Sequence, residues 1–189
     1  MTDTERLVAL ARATPWFMQA LAHVRALRLR TWCVGAGAVR NMVWDALHGH
    51  AVPSRLADID VAWFDADDLS PERDAALQRQ LRALAHDTPW EVTNQAGVHL
   101  WFEREFGHAV EPLRSLDEAV ASWPEYATAV GLRLDDDDRL HVIAPHGLAD
   151  LFAMVVRRNP VRVSVETYRR RVASKRYAQR WPRVTVMDC

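Results

Sequence analysis

Lysine is nearly missing from this chain: Lys175 stands alone beside 23 arginines. So much arginine, together with abundant alanine, matches a codon bias, and the arginine count by itself argues for no particular ligand. Cysteine is scarce as well, and Cys33 and Cys189 do not make a disulfide framework. Cys33 lies in an apolar run and reads as a small buried hydrophobe. Both cysteines fit a reducing compartment. No apolar stretch approaches the ~20 residues a membrane span needs. Met1 to Glu5 lacks the basic region and apolar core of a signal peptide. The expected location is therefore the cytoplasm, with no membrane partner. Internal repeats, low-complexity tracts and Gly/Ser linkers are also absent. The expected organisation is one domain over residues 1–189.

What is present supports a folded chain. Hydrophobic residues make up 49% and charged residues 26%, ordinary values for a globular protein. Eight tryptophans argue against disorder. At this length folding buries roughly 70% of the unfolded surface, so no disulfide or structural metal is needed for stability. The near-zero net charge hides a segregation. Residues 157–189 carry nine Arg and one Lys against Glu166 and Asp188, a net +8, whereas the preceding 156 residues carry −9. A basic C-terminal helix at about 161–189, packed on an acidic body, is the simpler explanation. Arginines that meet phosphates of a nucleotide or RNA are the alternative.

The chain reads as alternating helices and short strands. Thr2 or Asp3 caps a helix to about Ala13, and Pro15 opens a second with Phe17, Leu21, Val24 and Leu27 at helical spacing. Thr31 to Val34 is a strand candidate. A helix follows the turn Gly35-Ala36-Gly37 and stops at Gly49. Asp58 to Phe64 and Trp90 to Asn94 are strand candidates, with a polar helix from Pro71 to about His86 between them. Val98 to Phe102 fits strand or helix. Ser115 caps a short helix ending near Trp123. Ala129 to Leu134 and Leu140 to Ala144 flank the four-aspartate turn, Asp135 to Asp138, as a hairpin. Further helices are expected at roughly His146 to Arg158 and after Ser164, where Val165, Tyr168 and Val172 share a face.

The constellation with most chemical content is strand, Gly35-Ala36-Gly37-Ala38-Val39-Arg40, helix, loop, then Asp58-Ile59-Asp60-Val61. The glycines permit close backbone approach to a ligand. The following helix aims free N–H groups and its positive dipole end into the turn, which suits a phosphate. Residues i and i+2 of a strand share a face, so Asp58 and Asp60 stand together while Ile59 and Val61 face the core. Two like charges side by side destabilise the empty protein, and a bridging cation relieves them. Mg²⁺ (or Mn²⁺) typically takes one or two carboxylates plus phosphates and water. Arg40, in the first turn of the helix, reaches a phosphate or forms a salt bridge to Asp45 or Asp58. Asn94 and Gln95 bind base or ribose, or end a strand. His48 and His50 flank a helix end, a place that suits their charge without a metal. His99 reads as a core histidine.

This pattern resembles the nucleotidyltransferase superfamily (polymerase-beta-like), and more fully an uncharacterised bacterial branch of it. The resemblance rests on Gly35 to Asn41, Val43-Trp44-Asp45, Leu47-His48-Gly49, Asp58 to Val61, Asn94-Gln95-Ala96 with His99, and Ala144 to Leu148 with Asp150-Leu151-Phe152. It spans roughly residues 15–185. It implies an α/β (α+β) fold, a short mixed β-sheet flanked by helices with a helical C-terminus. It also implies Mg²⁺-dependent transfer of a nucleoside monophosphate from an NTP to an acceptor (RNA, protein or small molecule) that it does not name. The superfamily places a third carboxylate on a later strand, and Glu91 is the candidate, with Glu103 in reserve; its role would be to orient the metal or act as general base. Two hydroxyls common in the superfamily are missing, at Ala36 and Ala57. Their loss favours an alternative, a catalytically decayed nucleotide-binding or regulatory module. A dinucleotide-binding oxidoreductase is a distant third possibility: Gly35 and Gly37 follow a strand and Asp58 comes about 20 residues later, but Arg40 replaces the third glycine.

Overall fold

The computed structural model describes residues 1–188, so Cys189 lies outside the described residues. The first helix, α1 (Asp3–Arg12), begins at a Thr2 N-cap whose hydroxyl accepts from Glu5 N while the Glu5 carboxylate accepts from Thr2 N. Helix α2 (Pro15–Ala26) buries Phe17, Ala20, Leu21 and Val24, one apolar stripe at helical spacing. Strand β1 (Trp32–Gly35) leads directly into α3 (Gly37–His48), which ends on Gly49 in the left-handed region. Then come β2 (Ile59–Trp63), α4 (Pro71–Leu84) and β3 (Trp90–Asn94).

The strands form a five-stranded mixed sheet in the order β3-β2-β1-β4-β5, completed by the hairpin β4 (Gly131–Leu134) and β5 (Leu140–Ile143). Strand β1 runs antiparallel to both β2 and β4, whereas β2 and β3 are parallel with Asp60 opposite Glu91. A doubly wound dinucleotide-binding sheet is parallel throughout its nucleotide-binding half. The antiparallel β1–β2 pair therefore removes the oxidoreductase reading.

One face of the sheet packs on the main core. Ile59, Val61 and Trp63 of β2 and Trp90 and Val92 of β3 all point into it, each nearly inaccessible, together with residues of α1 to α4. The other face is thinly covered. There Cys33 and Ala62 meet Leu116 and Val120 of α6 (Leu116–Ala121) in a small second cluster. Strand alternation puts Asp60 on the same face as Ala62. Beyond the edge of α6 that face stays open, and the carboxylates stand there.

Several expected elements differ. Val98 to Phe102 enters a helix, α5 (His99–Phe106). The helix expected over His146 to Arg158 is only α7 (Ala149–Ala153). Met154 turns left-handed and Val155–Val156 becomes β6, paired parallel with β7 (Thr185–Val186). Two adjacent valines favour that extended pairing over a further helical turn. The basic C-terminal segment is not one helix. Helix α8 (Val165–Lys175), capped by the Ser164 hydroxyl, ends at Arg176 in the left-handed region, and α9 (Tyr177–Arg180) follows. Trp181 is fully buried and donates its indole N–H to Asp45 at 2.8 Å, fastening this segment to α3. Among the described residues no helix is long and apolar enough to cross a membrane.

Candidate active site

The sequence brings β1 to an abrupt end because the chain must turn from strand to helix within one residue. Ala36 takes φ +49° and ψ −117°, a strained conformation for a residue with a Cβ. Its N–H donates to Val130 O at 3.1 Å, which fixes the turn against β4. Helix α3 then starts at Gly37 with no side-chain cap on its first-turn N–H groups. The two glycines have separate duties. A methyl on Gly35 would lie 2.6 Å from the Trp123 ring and 2.8 Å from Val130 O, so Gly35 is a packing position behind the site. A methyl on Gly37 would meet only Arg40 Nη2 and Asp58 Oδ1, both at 3.7 Å. Gly37 lines the pocket and Gly35 does not.

That pocket has a volume of about 250 Å³, and Ala36, Gly37, Arg40, Asp58, Asp60 and Glu91 line it. Asp58 stands one residue before β2, and Asp60 is half-buried within it. Burial, then the charges of Asp58 and Glu91, push the Asp60 carboxyl up to about 7, with Arg171 and Lys175 pulling the other way. Burial and Asp58 also raise Glu91, although its side chain is exposed. An acid that resists ionisation because it is buried beside other carboxylates is one that a cation would favour. All the donors are hard carboxylate oxygens, the type that suits Mg²⁺ or Mn²⁺. Among the described residues no three His, Cys, Asp or Glu groups gather closely enough to form a complete metal site. Two carboxylates plus ligands from substrate and water fit that observation.

Cations line the same pocket. Arg40 is 3% exposed, and it makes neither of the salt bridges considered for it. Its Nη2 donates to Asn41 Oδ1 at 2.7 Å, while the guanidinium carbon lies 5.0 to 5.6 Å from the rings of Trp44, Tyr177 and Trp181. Its Nε is buried without a partner, and burial lowers its pKa. A buried guanidinium that lines the pocket with an unsatisfied nitrogen has the chemistry to receive an anion. Arg171 and Lys175 of α8 join it in the pocket wall. Arg171 donates through Nε to Glu125 at 2.5 Å, and Glu125, itself 1% exposed, also accepts from the Tyr177 hydroxyl and Thr128 Oγ1. Burial works against the charge on Arg171, and Glu125 and Tyr177 outweigh it, so its pKa is raised. Burial and Glu125 push the Tyr177 hydroxyl up to about 12.

The expected residues divide accordingly. Asp58, Asp60, Glu91, Ala36, Gly37, Arg40 and Gln95 line one pocket. Asn94 does not. It is 4% exposed and spends its side chain on Asp65 O, Asp68 O and the N–H groups of Asp65 and Ala96, tying the β2–α4 loop to the end of β3. Its side chain acts as a structural strap. Glu103 is exposed on α5 and is not among the residues lining the pocket. His48 donates its Nδ1–H to Trp44 O at 2.8 Å and His50 donates to the Asp45 carboxylate at 2.9 Å, away from the pocket. Arg171, Lys175 and Glu125 are not singled out by the sequence reading. The four-residue spacing of Arg171 and Lys175 in the basic segment was the available signal.

Comparison with known proteins agrees with this geometry. A family described as nucleotidyltransferase matches residues 22–186. A solved structure described as revealing a CCA-adding enzyme head domain is 29% identical, with a TM-score of 0.82 over 98% of this chain and 96% of that one. A CCA-adding enzyme in complex with CTP is 13% identical, TM-score 0.57, matching 99% of this chain and 44% of that one. The Thermotoga maritima CCA-adding enzyme complexed with tRNA is 13% identical, TM-score 0.56, matching 99% of this chain and 43% of that one. The chain thus spans less than half the length of the last two, and they show the fold alone. No curated protein matches the chain. The strand–turn–helix, the paired aspartates and the match over most of the chain lead to one statement: this chain belongs to the nucleotidyltransferase family.

Proposed function

We propose that the chain transfers a nucleoside monophosphate from an NTP to an acceptor hydroxyl. The observation that carries this reading is a single pocket lined both by the carboxylates Asp58, Asp60 and Glu91 and by Gly37, Arg40, Arg171 and Lys175. The triphosphate has charge to be matched at its β and γ groups. The uncapped N-terminus of α3, Arg40 and Lys175 supply that matching charge. A divalent cation held by Asp58 and Asp60, Mg²⁺ or Mn²⁺, would neutralise phosphate charge as it develops. Arg171, fixed by Glu125, counters the charge of Asp60. Glu91, whose pKa is raised, accepts the proton of the acceptor hydroxyl. The acceptor oxygen bonds to the α-phosphorus, the bond from that phosphorus to the bridging oxygen breaks, and pyrophosphate leaves.

The relatives solved with CTP, ATP or tRNA support an NTP as donor and admit RNA as acceptor. Pyrophosphate release is the direct test. Each NTP is incubated with Mg²⁺ and a panel of RNA, protein and small-molecule acceptors. Asp58→Asn and Asp60→Asn are expected to lose turnover while remaining folded. Full turnover in either variant would refute the mechanism. A second reading, nucleotide binding without transfer, is favoured by the missing hydroxyls at Ala36 and Ala57, and turnover that depends on Asp58 would exclude it.

A further inference from the structure

A second pocket, of about 590 Å³, opens beside the first and shares with it Asp60, Glu91, Gln95, Trp123, Arg171 and Lys175 among others. It does not reach Ala36, Gly37, Arg40 or Asp58. Position therefore separates the glycine-turn end of the first pocket from the second. In phosphoryl transfer the attacking and leaving oxygens stand roughly in line, on opposite sides of phosphorus. If pyrophosphate departs at the α3 N-terminus, the attacking oxygen enters from the side of Glu91, where the second pocket lies.

The lining describes an occupant. Trp101 and Phe102 of α5 and Trp123 give it flat apolar walls. Arg162 lies against them, its guanidinium carbon 5.7 Å from the Phe102 ring. One Arg162 nitrogen, Nη2, donates to Glu111 O, while Nη1 is buried with no partner. Glu105 also lines the pocket, with Arg104 Nε 3.2 Å from its carboxylate. Arg170 and Lys175 also line it, as does Arg171, which is paired with Glu125. The volume lies within the ~300–1,000 Å³ typical of small-molecule sites, enough for one ring system and short of a polymer.

We propose that this second pocket is the acceptor site, and that the acceptor is a small molecule with a flat apolar body, an anionic group for Arg162 and a hydroxyl that reaches Glu91. This inference rests on the nucleotidyltransferase reading for the role of the pocket, and on the pocket alone for the ligand. Stacking on Trp101 and Trp123 orients the flat body. The anion pairs with the charge of the Arg162 guanidinium, which lines the pocket, and the two anionic probes below distinguish carboxylate from phosphate.

The test uses 1-naphthyl phosphate, 3-hydroxy-2-naphthoate and uncharged 2-naphthol as probes, read by tryptophan fluorescence and thermal shift without any NTP. Wild type is expected to bind one or both anionic probes at least about tenfold more tightly than 2-naphthol, as a charge-assisted contact provides. Arg162→Gln and Trp101→Ala are each expected to weaken that probe about tenfold, while stabilisation by Mg-ATP is unchanged. Undiminished binding in Arg162→Gln, or no binding of either anion, would overturn the proposal. Loss of Mg-ATP stabilisation in the same two variants would assign the pocket to the nucleoside instead. An oligoribonucleotide that binds tighter than the probes and depends on Arg162 would replace the small acceptor by RNA. If the probes bind as expected but no NTP stabilises the protein, the pocket stands as an anion-and-ring site and its acceptor role falls with the nucleotidyltransferase reading.

Discussion

Replacing Asp60 by asparagine removes a charge that the metal-free protein holds at a cost. In the folded chain this carboxyl titrates at about 7, against an ordinary value of 3.8. The unfolded chain therefore releases the proton at lower pH than the folded one. Between those two values the unfolded state binds fewer protons, so stability falls as pH rises, and above the folded pKa the penalty is complete and flat. At ~1.4 kcal/mol per pKa unit the gap of some three units sets a ceiling near 4 kcal/mol, and solvent on the open side of the pocket reduces it to about 2–4 kcal/mol. Urea unfolding followed by tryptophan fluorescence in EDTA measures this. Near pH 4 the variant and wild type should differ little. Near pH 8 Asp60→Asn should be the more stable by that amount. Adding Mg²⁺ at the higher pH should restore much of the deficit to wild type and nothing to the variant. A stability difference that stays constant with pH, or a variant less stable near pH 8, would refute the claim that Asp60 is a strained carboxylate awaiting a cation.

Other substitutions separate packing from binding. Gly35→Ala drives a methyl against Trp123 and Val130 O and should cost about 2–3 kcal/mol by urea unfolding, whereas Gly37→Ala has room and should leave stability within about 1 kcal/mol while weakening NTP binding in a thermal-shift titration. Ala36→Gly relieves the positive φ and should raise the unfolding free energy by about 1 kcal/mol, because the strain removed exceeds the added chain entropy. Glu125→Gln removes the hydrogen-bonded counter-charge of the part-buried Arg171 and should lower stability by about 2–3 kcal/mol in the same assay.

The common face of the carboxylates was legible in the sequence because local rules decide it. Strand alternation placed Asp60 opposite the core-facing Ile59 and Val61, and the same alternation put Glu91 outward between Trp90 and Val92. Neither rule states which strands are neighbours. The parallel register that sets Asp60 beside Glu91 belongs to the sheet topology. The α7 region misled because its apolar spacing suits a helix, while pairing of Val155 and Val156 with the distant Thr185 and Val186 decides the matter. Long-range contacts also explain why Glu125 went unseen. It sits in a short irregular stretch, and only folding brings it to Arg171 and Tyr177. Asn94 shows the converse: its place at a strand end beside the site suggested a ligand contact, and its four hydrogen bonds are all spent on the chain itself.

The most direct test of the nucleotidyltransferase account is a thermal-shift titration of wild type and Asp60→Asn with each NTP, with and without Mg²⁺. A ligand that binds only the folded state stabilises by about 2.7 kcal/mol at a hundred times its dissociation constant. The account predicts stabilisation of wild type by at least one NTP that requires Mg²⁺ and disappears in Asp60→Asn. Equal stabilisation of the two proteins, or none with any NTP at millimolar concentration, would contradict it.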